Sequence, residues 1–168
     1  MNEGLSVKKF LAITCASALS FCVSFSAFAA NNCYSPKEVE AEQGVRILSE
    51  LMVISLNCQH LTPKGQENLY TQYKKFALKH EGLFSGYENT LLRFYDKDGE
   101  ANPNAHLHEV RTDVANRISK DAAVMRPDAF CKAYAPRIAK ASVMPEPKIR
   151  RWAQTVFPGH PVSRQSCK

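Results

Sequence analysis

The chain has 168 residues, a formal net charge of +6 and 45% hydrophobic residues, enough to bury the core of one ordinary domain without splitting into two. Its charge is uneven: Lys and Arg number 8 against 11 Asp and Glu from 31 to 110, and 12 against 4 from 111 to 168. A basic second half suits an anionic polymer, lipid head group or acidic protein as partner, and serves equally as a solvated surface; if the chain is exported, as read next, an anionic envelope component fits and nucleic acid does not.

Export is the first reading along the chain. MNEGLSVKK is a short cationic start, FLAITCASALSFCVSF an apolar run, and SAFA a small-x-small ending with Ala27 and Ala29 at the critical positions, so residues 1–29 read as a secretory signal cleaved near Ala29. The run is too short and too rich in Ser and Ala to span a bilayer, and no later segment approaches the ~20 apolar residues a span needs. Cys15 and Cys22 lie inside the signal, and neither follows the small residues that precede a lipid-modified cysteine. The protein is expected in the periplasm or outside the cell, with residues 30–157 as a single helical domain and 158–168 as a polar tail.

Cys33, Cys58, Cys131 and Cys167 remain after cleavage. An even count in an oxidising compartment, with no C-x-x-C pair, argues for two disulfides and against a metal site. No cofactor signature is present.

Ser35-Pro36-Lys37-Glu38 is a capping box with proline at the first helical position. It opens a helix to about Asn57 whose inward half carries Gly44, Val45, Ile47, Leu48, Leu51, Met52, Ile54, Ser55 and Cys58, with Arg46, Ser49, Glu50 and Asn57 outward. Gly44 weakens this helix by about 1 kcal/mol relative to Ala. Its length settles one question about the cysteines. About 22 residues at ~1.5 Å each hold its ends roughly 33 Å apart, while disulfide-linked Cα atoms lie within ~7 Å. Cys33 with Cys58 is excluded, so both ends of the helix must be tied to the C-terminal part of the chain.

Thr62-Pro63 reads as the cap of a second helix burying Leu69, Tyr73, Phe76, Ala77 and His80. Glu81-Gly82 ends it, and Ser85-Gly86-Tyr87-Glu88 opens a short third helix closed by the DKDGE turn at 96–100. Asn102-Pro103 caps a fourth, with Leu107, Val110, Val114, Ala115, Ile118, Ala122 and Met125 at helical spacing. Arg126-Pro127 begins a fifth, kinked or split at Pro136. Pro145-Glu146-Pro147 begins a sixth carrying Ile149, Trp152, Val156 and Phe157. With no alternating strand pattern, the fold class is all-α, a compact bundle of five or six helices stapled by two disulfides. Simple up-and-down alternation puts the fifth helix at the Cys33 end of the bundle. That favours Cys33 with Cys131 and Cys58 with Cys167, the latter pinning the tail; a sideways third helix would swap the pairs.

No motif assigns a reaction. His106-Leu107-His108-Glu109 brings at most His106 and Glu109 to one helix face, with Asp113 one turn on, short of a convincing metal set. DKDGE counted as a calcium loop from Asp96 puts Ala101 where glycine is needed and Leu107 where glutamate is needed. Residues 81–87, EGLFSGY, resemble the Glu-Gly-Leu opening around the catalytic glutamate of phage-type lysozymes. The glycine-rich segment with a histidine that follows there is missing, so no catalytic role passes to Glu81. Lys74, Lys75 and Lys79 form one basic group and Lys148, Arg150 and Arg151 another beside Trp152, whose spacing with Ile149 and Val156 is that of a core residue. The resulting reading is a non-catalytic binding or structural component of the cell envelope; the alternative is a peptidoglycan hydrolase using Glu81 or Glu50. A deep cleft walling in a buried carboxylate would favour the enzyme, and a closed bundle with solvated acids the binder.

Overall fold

The computed structural model describes residues 33–62 and 64–167. The expected signal over 1–29, with Cys15 and Cys22, and the proline of Thr62-Pro63 lie outside the described residues.

The described chain is an all-α bundle: α1 Pro36–Cys58, a 3₁₀ turn Gln59–Leu61, α2 Leu69–Lys79, α3 Glu81–Lys97, α4 Pro103–Val124, α5 Pro127–Tyr134, α6 Pro136–Ser142 and α7 Glu146–Ala153. Two disulfides staple it, Cys33–Cys167 and Cys58–Cys131.

Helix α1 is the axis. The capping box forms as read: the Ser35 side chain accepts from the Lys37 N–H, and the Ser35 N–H donates to Glu38 Oε2 at 2.8 Å. The rest of the bundle wraps more than the apolar half of α1. Leu51 and Ile54 are covered, but so are Arg46, Ser49 and Glu50, at 8% exposure each, which the sequence placed outward, while Met52, placed inward, is exposed. Polar residues survive there because they are partnered; Ser49 Oγ donates to the Val45 carbonyl at 3.0 Å, and both charges are ion-paired. Gly44 has a reason beyond helix propensity. A Cβ there would stand 2.2 Å from Tyr87 Cδ2, so the missing side chain lets α3 approach α1.

The next two helices differ from the sequence reading. Thr62 does not cap α2; Asn68 does, accepting from the Tyr70 N–H at 2.9 Å, while Thr62 Oγ1 donates to the Gln59 carbonyl at 2.9 Å and finishes the 3₁₀ turn. Glu81-Gly82 ends no helix, and Ser85 caps none. Helix α3 starts at Glu81 directly after His80, the C-cap of α2, and Ser85 lies within it.

That correction overturns the favoured disulfide pairing. Asn68, at the start of α2, bonds the Gln59 carbonyl just beyond the far end of α1. Farther down, Tyr87 of α3 reaches Glu40 at 2.8 Å, and Tyr95 meets Tyr34 at 3.0 Å. Helices α2 and α3 therefore share a single descending pass instead of making two. The ascent of α4 from His106, beside Tyr95, then delivers α5 to the Cys58 end. Parity shifts by one pass, so Cys58 pairs with Cys131 and Cys33 is left for Cys167; Cys33–Cys131 and Cys58–Cys167 do not form.

Pro136 splits the expected fifth helix into α5 and α6. Helix α7 ends at Ala153, so Val156 and Phe157 fall beyond it, 44% and 47% exposed. The tail is pinned by more than its disulfide: Tyr34 N–H donates to the Gln165 carbonyl at 2.8 Å and Cys167 N–H to the Tyr34 carbonyl at 2.9 Å.

Candidate functional site

Uneven charge along the chain is partly resolved inside the molecule. Arg111 pairs with Glu88, Arg137 with Glu50, Arg150 with Glu40 at 3.2 Å, and Arg164 with Asp98 and Glu100 at 3.2 and 3.1 Å. In each case a cation of the second half meets an acid of the first. Part of the basic excess is thus spent holding the late helices and tail against the early ones.

Two of the cations left without a carboxylate among the described residues, Arg117 and Lys140, face one cleft. A cleft of about 450 Å³ opens where α1, α4, α6 and α7 meet the start of the tail, within the ~300–1,000 Å³ range of small-molecule sites. Its apolar floor is Ile47 of α1 with Val114 and Ile118 of α4, all buried. Met144, Trp152 and Phe157 form the walls. Helical spacing explains the shared face on α4: Val114, Arg117 and Ile118 sit at i, i+3 and i+4. Trp152, assigned to the core by its spacing, is half-buried and turned to this cleft.

Cations ring the apolar surface: Arg46, Arg117, Arg137 and Lys140 line the cleft against one carboxylate, Glu50. Arg46 is held from behind by fully buried Glu42, with Nε at 2.9 Å and Nη2 at 2.6 Å from Oε1. Arg137 donates to Glu50 and stacks over Tyr134, 4.6 Å from the ring centroid. Asp121, one turn beyond Arg117, accepts from the Tyr134 hydroxyl at 2.9 Å. Counting Glu42 and Asp121 with Glu50, the neighbourhood still carries one surplus positive charge. Among the described residues, Arg117 and Lys140 make no ion pair with a carboxylate; the contact shown for Arg117 is a long one, 3.4 Å, to the Gly159 carbonyl.

His160 closes the tail side. Gln43 Nε2 donates to its carbonyl at 2.7 Å, tying the tail to α1. Burial, then Arg117, Arg137 and Arg46, hold the imidazole below its usual range. Burial also lowers Arg137. A depressed histidine and a desolvated arginine are what a positive, partly dry cleft imposes.

The other residues singled out in the sequence do not join this site. Glu81 is exposed in the first turn of α3 and is absent from the cleft lining. His106 packs on Tyr95 with ring centroids 4.4 Å apart and lies 3.7 Å from both Glu100 and Glu109, while His108 and Asp113 are exposed. Among the described residues no group of three or more His, Cys, Asp and Glu is placed to hold a metal ion. Lys75 pairs with Glu67, and Lys74 lies over the Tyr70 ring at 5.2 Å. Among the described residues no helix is long and apolar enough to cross a membrane.

Arg117, Arg137, Lys140 and the tail histidine were missed by sequence reasoning. They stand more than 60 residues from the α1 residues they join, and the available signal was only the excess of cations after residue 111. Comparison with family models, curated proteins and solved structures finds no match to this chain.

Proposed function

We propose that this protein is exported by its N-terminal signal to the periplasm or cell exterior and serves there as a non-catalytic component of the envelope that binds a small ligand in the α1–α4–α6 cleft. The observation that carries the reading is the cleft itself, an open apolar floor inside a rim of four cations. A groove this size that leaves Phe157 47% exposed is apolar surface available to a ligand. The two disulfides support an oxidising compartment.

One observation favours the hydrolase reading: Glu50 is buried and lines the cleft, which is where an enzyme would place an acid. Against it, Glu50 is engaged by Arg137, and no second carboxylate lines the cleft. Glycosidases of the common mechanisms work with two carboxyl groups roughly 5 to 9.5 Å apart. The binding reading follows from that difference.

A crystallographic fragment screen tests the binding reading together with an assay on purified peptidoglycan. Fragments clustering in the α1–α4–α6 cleft, with no soluble products released from peptidoglycan, are expected. Release that Glu50→Gln abolishes would replace the binder by the hydrolase, and fragments bound everywhere except this cleft would remove the site.

A further inference from the structure

The cleft combines two surfaces that a single simple ligand does not satisfy. Its floor and walls are apolar, from Ile47, Val114 and Ile118 to Trp152 and Phe157. Its rim carries Arg117 of α4 and Lys140 of α6, neither committed to a carboxylate among the described residues, beside Arg137, which is. A neutral apolar molecule would fill the floor but leave these cations facing its body, with loss of water on one side and nothing gained. An inorganic anion would meet the cations but leave the apolar floor in water.

Resting on the binding reading above, we propose that the ligand is an anionic amphiphile, with a carboxylate or phosphate head between Arg117 and Lys140 and an apolar chain against the Val114–Ile118 floor and the Trp152 wall. Arginine suits such a head because its planar fork matches a carboxylate or phosphate edge, and lysine adds a point charge from α6. Arg137 remains with Glu50, and Arg46 with Glu42. Those two pairs place two cations beside the head without leaving either bare when the cleft is empty. A fatty acid and a lipid phosphate share this chemistry and are told apart by the head.

Trp152 is the chain's single tryptophan and lines the cleft, so its fluorescence reads occupancy directly. The disulfide-intact protein is titrated, below each compound's micelle concentration, with laurate, dodecyl phosphate, uncharged dodecyl maltoside and inorganic phosphate. Saturable change with laurate or dodecyl phosphate is expected, with the maltoside and inorganic phosphate at least tenfold weaker; the better of the two anions identifies the head. The double variant R117Q/K140Q, both exposed positions, is expected to weaken the anion tenfold or more without changing the melting temperature. Thr155 also lines the cleft, and Thr155→Phe, which fills its mouth, is expected to block every chain. Maltoside binding as tight as the anions, or anion binding untouched by R117Q/K140Q, overturns the anionic class; if Thr155→Phe still blocks it, the cleft survives as a binding site. Inorganic phosphate binding as tightly as dodecyl phosphate overturns the apolar half. No response to any of the four compounds overturns this ligand class, and the fragment screen then decides the binding reading separately.

Discussion

The two ends of α1 are held by different balances of burial and hydrogen bonding. At the Cys58 end the staple is buried: Cys58 is fully covered and Cys131 is 4% exposed. At the Cys33 end the staple is at the surface, with Cys167 exposed, and the burial there is polar. Glu42, fully buried, takes two hydrogen bonds from Arg46 and one from the Ser163 N–H at 2.8 Å, and also accepts from the Ser163 hydroxyl. The Tyr34 hydroxyl bridges Tyr95 at 3.0 Å and Ser163 at 3.2 Å. Burial and Glu42 push the Tyr34 hydroxyl's pKa far up, and burial raises that of Tyr95 to about 12, so both remain neutral partners at ordinary pH. Helices can be joined by apolar packing and one cross-link, whereas a tail with no helix and a single β-bridge, Tyr34 with Ser166, must have its backbone groups satisfied one by one. That is why the tail at the Cys33 end is held by a buried hydrogen-bond network around Glu42 and Tyr34, while the helices at the Cys58 end meet across a buried cross-link.

Removing the buried staple should give the largest loss. Cys58 and Cys131 close a loop with a separation of 73 residues, and the double serine variant is expected to lose about 4 kcal/mol, read as a lowered denaturant midpoint under oxidising conditions. An unchanged midpoint would mean the bridge holds nothing.

At the other end, Glu42→Ala is expected to cost about 3 kcal/mol, because Arg46 would be left buried without its partner and Ser163 without its acceptor. Hydrogen exchange should show protection lost first in the tail. A uniform loss across α2 and α3 instead would contradict the local latch.

The exposed staple sharpens the contrast. Its separation is 134 residues, so loop entropy alone ranks it slightly above the buried one. The double serine variant of Cys33 and Cys167 is nevertheless expected to lose only about 2 kcal/mol, since the freed tail can fray while the helices stay packed. A loss exceeding that of the Cys58 and Cys131 variant would show that chain entropy outweighs burial here.

Between the two ends, Gly44→Ala separates close packing from helix propensity. Propensity alone predicts a gain near 1 kcal/mol; the Tyr87 ring, buried and bonded to Glu40, predicts a loss of about 1 to 2 kcal/mol by overpacking. The sign of the change in melting temperature decides between them.

The smallest effect expected is with pH. His80, at the α2–α3 joint, is 6% exposed with no hydrogen-bond partner for Nε2 among the described residues, and burial, then Lys79, lower its pKa. His160 in the tail is lowered as well, by burial and then Arg117. For both, the unfolded chain takes up its proton first, near the ordinary value of ~6.5. Stability is therefore complete above that pH and falls as pH drops through it toward the lower folded values. His80→Gln and His160→Gln, compared by melting temperature between neutral and mildly acid pH, apportion the slope between joint and tail. A slope unchanged in both variants would put it elsewhere.

Local chemistry determined much of this protein in advance. The capping box at Ser35, the Asn102-Pro103 start of α4 and the break at Pro136 are short-range effects, complete within one turn of chain, and all three stand in the structure. The length of α1 likewise excluded a Cys33–Cys58 bridge by geometry alone. Tertiary structure decided which helices share a pass, and so which cysteines meet, because the capping pattern at Ser85 is overridden by α3 packing against α1 through Gly44. It also decided the cleft. Arg117, Arg137 and Lys140 read as solvated surface in the chain, and their convergence over Ile47 and Val114 depends on α4 rising alongside α1. No local propensity encodes that arrangement; it comes from burying one long, central helix on more sides than its own hydrophobic pattern announces.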